Sequence, residues 1–138
     1  MRKLSKSRKL FDEESGEIYN KLITNKNFKS LSILEIFSIA MVMGKKRGRP
    51  EPLKKNRVAE VNKYTMDNSK SFNYLLMALG VEEEGSIDIL SDEVKYFEIA
   101  EQYAKNGLEL IEQDLKNNVE ILDEMEMELL EVYDSLFD

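Results

Sequence analysis

In Lys45-Lys46-Arg47-Gly48-Arg49-Pro50, two arginines flank a glycine and a proline closes the run. That order suits a peptide laid along a narrow groove of DNA. Glycine removes bulk where the backbone must approach the groove floor, and proline holds the chain extended. The arginines are drawn to the strongly negative potential over A·T pairs. Lys45, Lys46, Lys54 and Lys55 are then placed to neutralise phosphates. Arg2, Lys3, Lys6, Arg8 and Lys9 of the N-terminal arm extend the same positive surface.

The Arg-Gly-Arg-Pro core resembles an AT-hook, with one departure. Glu51 and Pro52 stand where basic residues ordinarily follow. The plain alternative is a basic loop, shaped by Gly48, Pro50 and Pro52, that serves the fold. A second chemistry can be assembled from Asp88, Glu93 and Lys95: two carboxylates to hold Mg²⁺ and a lysine to orient water, as in metal-dependent nucleases. The same residues suit a helix start, where Asp92 and Glu93 complement the dipole. Glu82, Glu83 and Glu84, like Glu124, Glu126 and Glu128, read as solvated faces, since no spaced calcium loop accompanies them.

The 138 residues include no cysteine and no histidine. Disulfides, thiolate nucleophiles, Cys- or His-based zinc sites and imidazole acid–base catalysis are therefore excluded. No metal or cofactor is expected, and the chain reads as a non-enzymatic binding protein, with the nuclease as the remaining enzymatic reading. The longest apolar run, Ile36 to Met43, is far short of the roughly 20 residues of a membrane span. No secretory signal opens the chain, so a cytoplasmic location is expected.

Charge divides the sequence. Residues 1–57 hold 15 Lys+Arg against 6 Asp+Glu, net +9, whereas residues 58–138 hold 5 against 21, net −16. A polyanion partner suits the first half. The second half calls for a basic partner or for neutralisation by the first.

The elements that must position these residues are helical. Ile18, Tyr19, Leu22 and Ile23 predict a helix from Asp12 or Ser15 to about Thr24. Ser32 and Glu35 form a capping-box pattern, and Ile33 to Met43 predicts a central buried helix with Gly44 as its left-handed C-cap. Lys45 to Lys55 follows as a basic Gly/Pro loop. Val58 to Met66 reads as a helix. Phe72, Leu75, Leu76 and Leu79 mark another, started by Asn68 or Ser69 and ended at Gly80. Glu82 to Gly85 is an acidic turn, and Ile87 to Leu90 is a short strand or extended link. Ser91 starts a further helix through Val94, Phe97, Ile99, Ala100 and Tyr103, which Asn106-Gly107 ends or bends.

From Leu108 the apolar positions alternate steps of three and four, through Ile111, Leu115, Asn118, Leu122, Met125, Leu129, Val132 and Leu136. This predicts a long, acidic, coiled-coil-like helix over 108–137. Leu115, Asn118, Leu122, Met125 and Leu129 are its self-association candidates, with Asn118 setting register. A second apolar stripe, including Leu110, Ile121 and Leu130, calls for burial against more than one helix, in the same domain or in a multi-helix oligomer. The fold expected is a single all-α domain over 1–138, with at most a short strand at 87–90 and a basic arm at 1–10.

The order of the charged arm, "LEIFSIAMVMG", "KKRGRPEPL" and "YFEIAEQYAKNGLELI" resembles the small proteins associated with DNA phosphorothioation (Dnd) defence systems of bacteria and archaea. The resemblance covers roughly residues 8–115 and implies a link to DNA-directed defence, without catalytic residues to carry over. Two functions follow as expectations. One is a DNA-associated or adaptor protein contacting the A·T-rich minor groove through Lys45 to Lys55. The other is a protein-interaction or oligomerisation module, acting through the acidic C-terminal helix and binding no nucleic acid.

Overall fold

The computed structural model describes residues 3, 4, 6–117, 129–132 and 134. Chain order is β1 (Ser7–Asp12), α1 (Glu13–Leu22), α2 (Ile33–Arg47), β2 (Arg57–Asn62), α3 (Lys63–Asp67), α4 (Lys70–Glu84), a 3₁₀ turn (Ile87–Ser91) and α5 (Glu93–Lys116). Helix starts follow local chemistry. Asp12 accepts from the Ser15 amide at the start of α1, and Ser32 and Glu35 complete their capping box at α2.

The protein is mostly helical but not all-α. β1 and β2 pair antiparallel, with Ser7 opposite Asn62 and Asp12 opposite Arg57. The predicted helix over 58–66 is therefore a strand followed by the short α3, and the arm is strand from Ser7. Leu10 and Phe11 of that strand are buried. Alternation was masked because the intervening cations are themselves structural: Arg8 reaches inward to Glu101. The predicted strand or extended link at 87–90 is the 3₁₀ turn, opened by the Ser86 hydroxyl accepting from the Asp88 amide. Asp92, not Ser91, caps α5.

Within β2, Ala59 has φ of 64°. A left-handed backbone costs a Cβ-bearing residue roughly 1–2 kcal/mol. Ala59→Gly is expected to raise stability by about 0.5–1 kcal/mol, seen as a higher urea midpoint with unchanged slope.

Helix α5 is the spine of the core. A file of rings, Phe11, Phe37, Phe72 and Phe97, crosses β1, α2, α4 and α5 at centroid spacings of 6.0, 5.7 and 6.1 Å. The α2–α5 crossing is close. Ala40 and Gly44 of α2 meet Gly107 of α5, and Gly44 also meets Tyr103, all of them buried. A Cβ on Gly44 would overlap the Tyr103 carbonyl oxygen, and one on Gly107 would overlap that of Ala40.

These glycines correct three predicted ends. Gly44 lies inside α2, which runs on to Arg47. Gly107 lies inside α5, which is not broken there. Gly80 lies inside α4, where a Cβ would come within 2.7 Å of the Tyr96 Cβ; the helix ends at Gly85, with φ of 71°. Each was needed for close approach rather than for a left-handed turn. Glu82–Glu84 accordingly form the last turn of α4.

α5 ends at Lys116, capped by Asn117. Asn118, Leu122 and Met125 of the expected seam lie outside the described residues. Leu115 packs on the domain's own core, as do Leu129 and Val132 beyond it. Among the described residues, no helix is long and apolar enough to cross a membrane.

Candidate nucleic-acid interface

The basic segment divides in two. Lys45, Lys46 and Arg47 form the last turn of α2, where cations complement the helix dipole, so the predicted loop begins only at Gly48. From there the chain runs along α5 as a strap. The Arg49 amide donates to Asn106 Oδ1 at 3.0 Å, and the Glu51 amide donates to the Gln102 carbonyl at 3.0 Å. Asn106 Nδ2 donates to Glu51 Oε1 at 2.7 Å. Gly48 has no room for a side chain, because a Cβ would overlap Asn106 Oδ1. The glycine that was expected to face a groove floor instead faces α5.

The cations are largely engaged. Lys45 sits 3.0 Å from Glu83 and 3.5 Å from Glu82, with its ammonium 5.3 Å from the centre of the Tyr103 ring. Tyr103 also donates to Glu83, at 2.8 Å. Burial opposes ionisation of Glu83, but the Tyr103 and Lys45 hydrogen bonds outweigh it and hold its carboxyl below the usual range. Lys46 pairs with Glu131 at 2.5 Å, and Arg47 grips both oxygens of Asp114 at 2.9 and 3.3 Å. Lys54 pairs with Glu14. Arg49 and Lys55 are exposed, with no carboxylate of the described residues in ion-pair range.

Beneath the strap lies a buried charged layer. Asp12 accepts from Lys105 Nζ at 2.7 Å, the Lys54 amide at 3.0 Å and the Ser15 amide at 2.9 Å. Burial penalises that carboxylate, yet the converging donors more than offset the penalty, so its pKa falls well below the ordinary value. Lys105 also donates to the Pro52 carbonyl, at 3.3 Å. One turn away, Glu101 receives both Arg8 and Arg57, at 2.7 and 2.8 Å. Glu109 is pushed up to about 6, first by burial and then by its hydrogen bond with Glu51.

Sequence reasoning named the strap but missed what holds it. Glu101, Lys105 and Asn106 are polar positions buried on the same helix as Phe97, Ala104 and Leu108. Charged residues interrupting a buried face were the available signal, since buried charges require partners.

The nuclease residues do not converge on a metal. Asp88 is exposed on the 3₁₀ turn, whereas Glu93 accepts from the Leu4 amide at 2.7 Å and lies 3.7 Å from Lys63. Lys95 pairs with Glu84 at 3.1 Å. No cluster of three or more acidic residues suited to a metal occurs among the described residues.

The family model described as DNA sulphur modification system-associated protein 4 matches residues 11–135. It runs through the landmarks that carried the resemblance to phosphorothioation-associated proteins, and bears that resemblance out. No curated protein and no solved structure matches the chain.

Proposed function

Because this chain belongs to the DNA sulphur modification system-associated protein 4 family, we propose that it serves that system as a non-enzymatic adaptor, with segment 48–56 as an internal strap. One observation carries the reading. Lys45, Lys46, Arg47 and Lys54 are already paired with carboxylates of the same chain, and Gly48 is closed off by Asn106. For the segment to enter a minor groove, those pairs must open and the strap must leave α5. Each lost neutral hydrogen bond alone costs about 1 kcal/mol. The direct test is whether the purified full chain forms a stoichiometric complex with other proteins of the system at 0.5 M salt, a concentration chosen as roughly enough to screen exposed charge. Failure to bind any of them would remove the adaptor reading.

A second reading, direct DNA contact, is favoured by exposed Arg49 and Lys55. The two readings differ in salt dependence. Two engaged cations give a slope of log K against log salt of about −2, whereas all six from Lys45 to Lys55 give about −5. We expect a slope no steeper than about −2, no preference for A·T-rich duplexes, and loss of residual binding in Arg49→Ala/Lys55→Ala. A steep slope with A·T preference that Arg47→Ala/Arg49→Ala abolishes would restore the groove-binding reading.

A further inference from the structure

A groove between α2 and α4 carries two adjoining cavities of about 290 and 240 Å³. Leu34, Ile39 and Phe72 line the first, Met41, Val42 and Leu79 line the second, and Leu75 contributes to both. Lys46 stands at the rim. Residues 129–132, which are helical, lie over the groove. Leu129 faces the first cavity, Val132 faces the second, and Glu131 reaches Lys46. A helical turn with apolar residues three positions apart and Glu131 between them is therefore seated on an apolar floor, with Lys46 at a rim that also carries Glu35, Lys45 and Glu82.

We propose that this groove is the adaptor's docking site for an acidic amphipathic helix of a partner protein, and that residues 129–132 occupy it in the absence of that partner. The inference deepens the adaptor reading and rests on it. Three features identify the occupant. The seated turn supplies its template, since helix-in-groove recognition is read as apolar anchors at i and i+3 or i+4. Lys46 selects a carboxylate between the anchors. The cavities that Leu129 and Val132 line, about 290 and 240 Å³, have room for larger anchors, such as Phe or Met, which would bury more apolar surface than the resident turn does. A partner helix must displace the resident turn, so its apparent affinity is reduced by the fraction of molecules with the groove closed.

The test uses the full chain and, as probe, a fluorescein-labelled peptide of residues 126–138. Leu129→Asp/Val132→Asp opens the groove and is expected to bind the probe at least about tenfold more tightly than wild type. Ile39→Glu added to the opened protein should abolish binding. Lys46→Glu, exposed and harmless to the core, should weaken it about fivefold. Equal affinity of wild type and opened protein, or binding indifferent to both groove substitutions, would overturn the proposal. So would a wild-type dimer dissolved by the opening substitutions, because a second copy would then be the occupant. A complex with the system's proteins that survives Ile39→Glu and Lys46→Glu would sink the groove alone, leaving the adaptor reading intact; no complex at all would sink both.

Discussion

Gly107→Ala is expected to destabilise the protein by about 3 kcal/mol, although alanine is the better helix former by about 1 kcal/mol. The added methyl would overlap the Ala40 carbonyl oxygen and sit 2.5 Å from its carbonyl carbon. Both belong to the backbone of α2, so no rotamer change relieves the overlap. The helices must separate, and the close approach of Ala40 and Gly44 to α5 is lost with them. For a chain of this size a loss of 3 kcal/mol lowers Tm by roughly 10–15 °C.

Gly85→Ala is the control. Gly85 has φ of 71° and no atom near its would-be Cβ, so alanine there pays only backbone strain, about 1–2 kcal/mol. Thermal melts of the two variants separate overlap from strain. A Gly107→Ala protein as stable as wild type would mean that α2 and α5 do not cross this closely in solution.

The contrast between these glycines explains much of what the sequence could and could not disclose. Capping chemistry is local: Ser32 with Glu35 located one helix start, and Asp12, one of the two starts offered for the first helix, is its N-cap. A glycine after an apolar run has two uses, a left-handed end or a close approach, and only the partner helix distinguishes them. Gly44 meets Tyr103 and Gly107 some sixty positions away. The strands were hidden for a similar reason. β1 reads as a basic tail until Arg8 is seen against Glu101 and Lys9 opposite Glu60, on segments about ninety and fifty residues distant.

The charge split, by contrast, was legible as a whole. Neutralisation of one half by the other was one of its two readings, and the pairs from Arg8, Lys45, Lys46, Arg47 and Arg57 to acidic residues of the second half realise it in part. The pairing within the strap was not legible, because hydrogen bonds between a Gly/Pro segment and Asn106 and Gln102 leave no periodic trace. Nor could periodicity say that Leu129 would line a groove between α2 and α4.

The second large effect concerns Lys105. Lys105→Met removes the cation from a fully buried Asp12 while keeping the apolar stem, and breaking one partner of such a pair costs about 3–5 kcal/mol. Asp12→Asn in the same chain keeps an oxygen for the Ser15 amide and removes the orphaned charge, so the double variant should recover at least about 1 kcal/mol of that loss. The pH dependence fixes the sign. In wild type, Asp12 has a depressed pKa, so its stabilising contribution is present above its unfolded value of 3.8 and is lost as pH falls below it. In Lys105→Met the donor is gone while burial remains, which raises the Asp12 pKa. The mutant therefore loses less stability on acidification than wild type does. The gap between them should be widest near pH 7 and should close toward pH 3, read from urea midpoints across that range. Glu109, already held at about 6 in the folded chain, works in the opposite direction from Asp12: its contribution is full below 4.5 and declines as pH rises through 6. Glu109→Gln makes the two separable, since it should stabilise the protein at pH 7.5 and not at pH 4.5, whereas the Lys105 effect shrinks over the same acid shift. A gap between wild type and Lys105→Met that stayed constant from pH 7 to pH 3 would mean that Asp12 is not the charge left unpaired, and the strap would have to be anchored some other way.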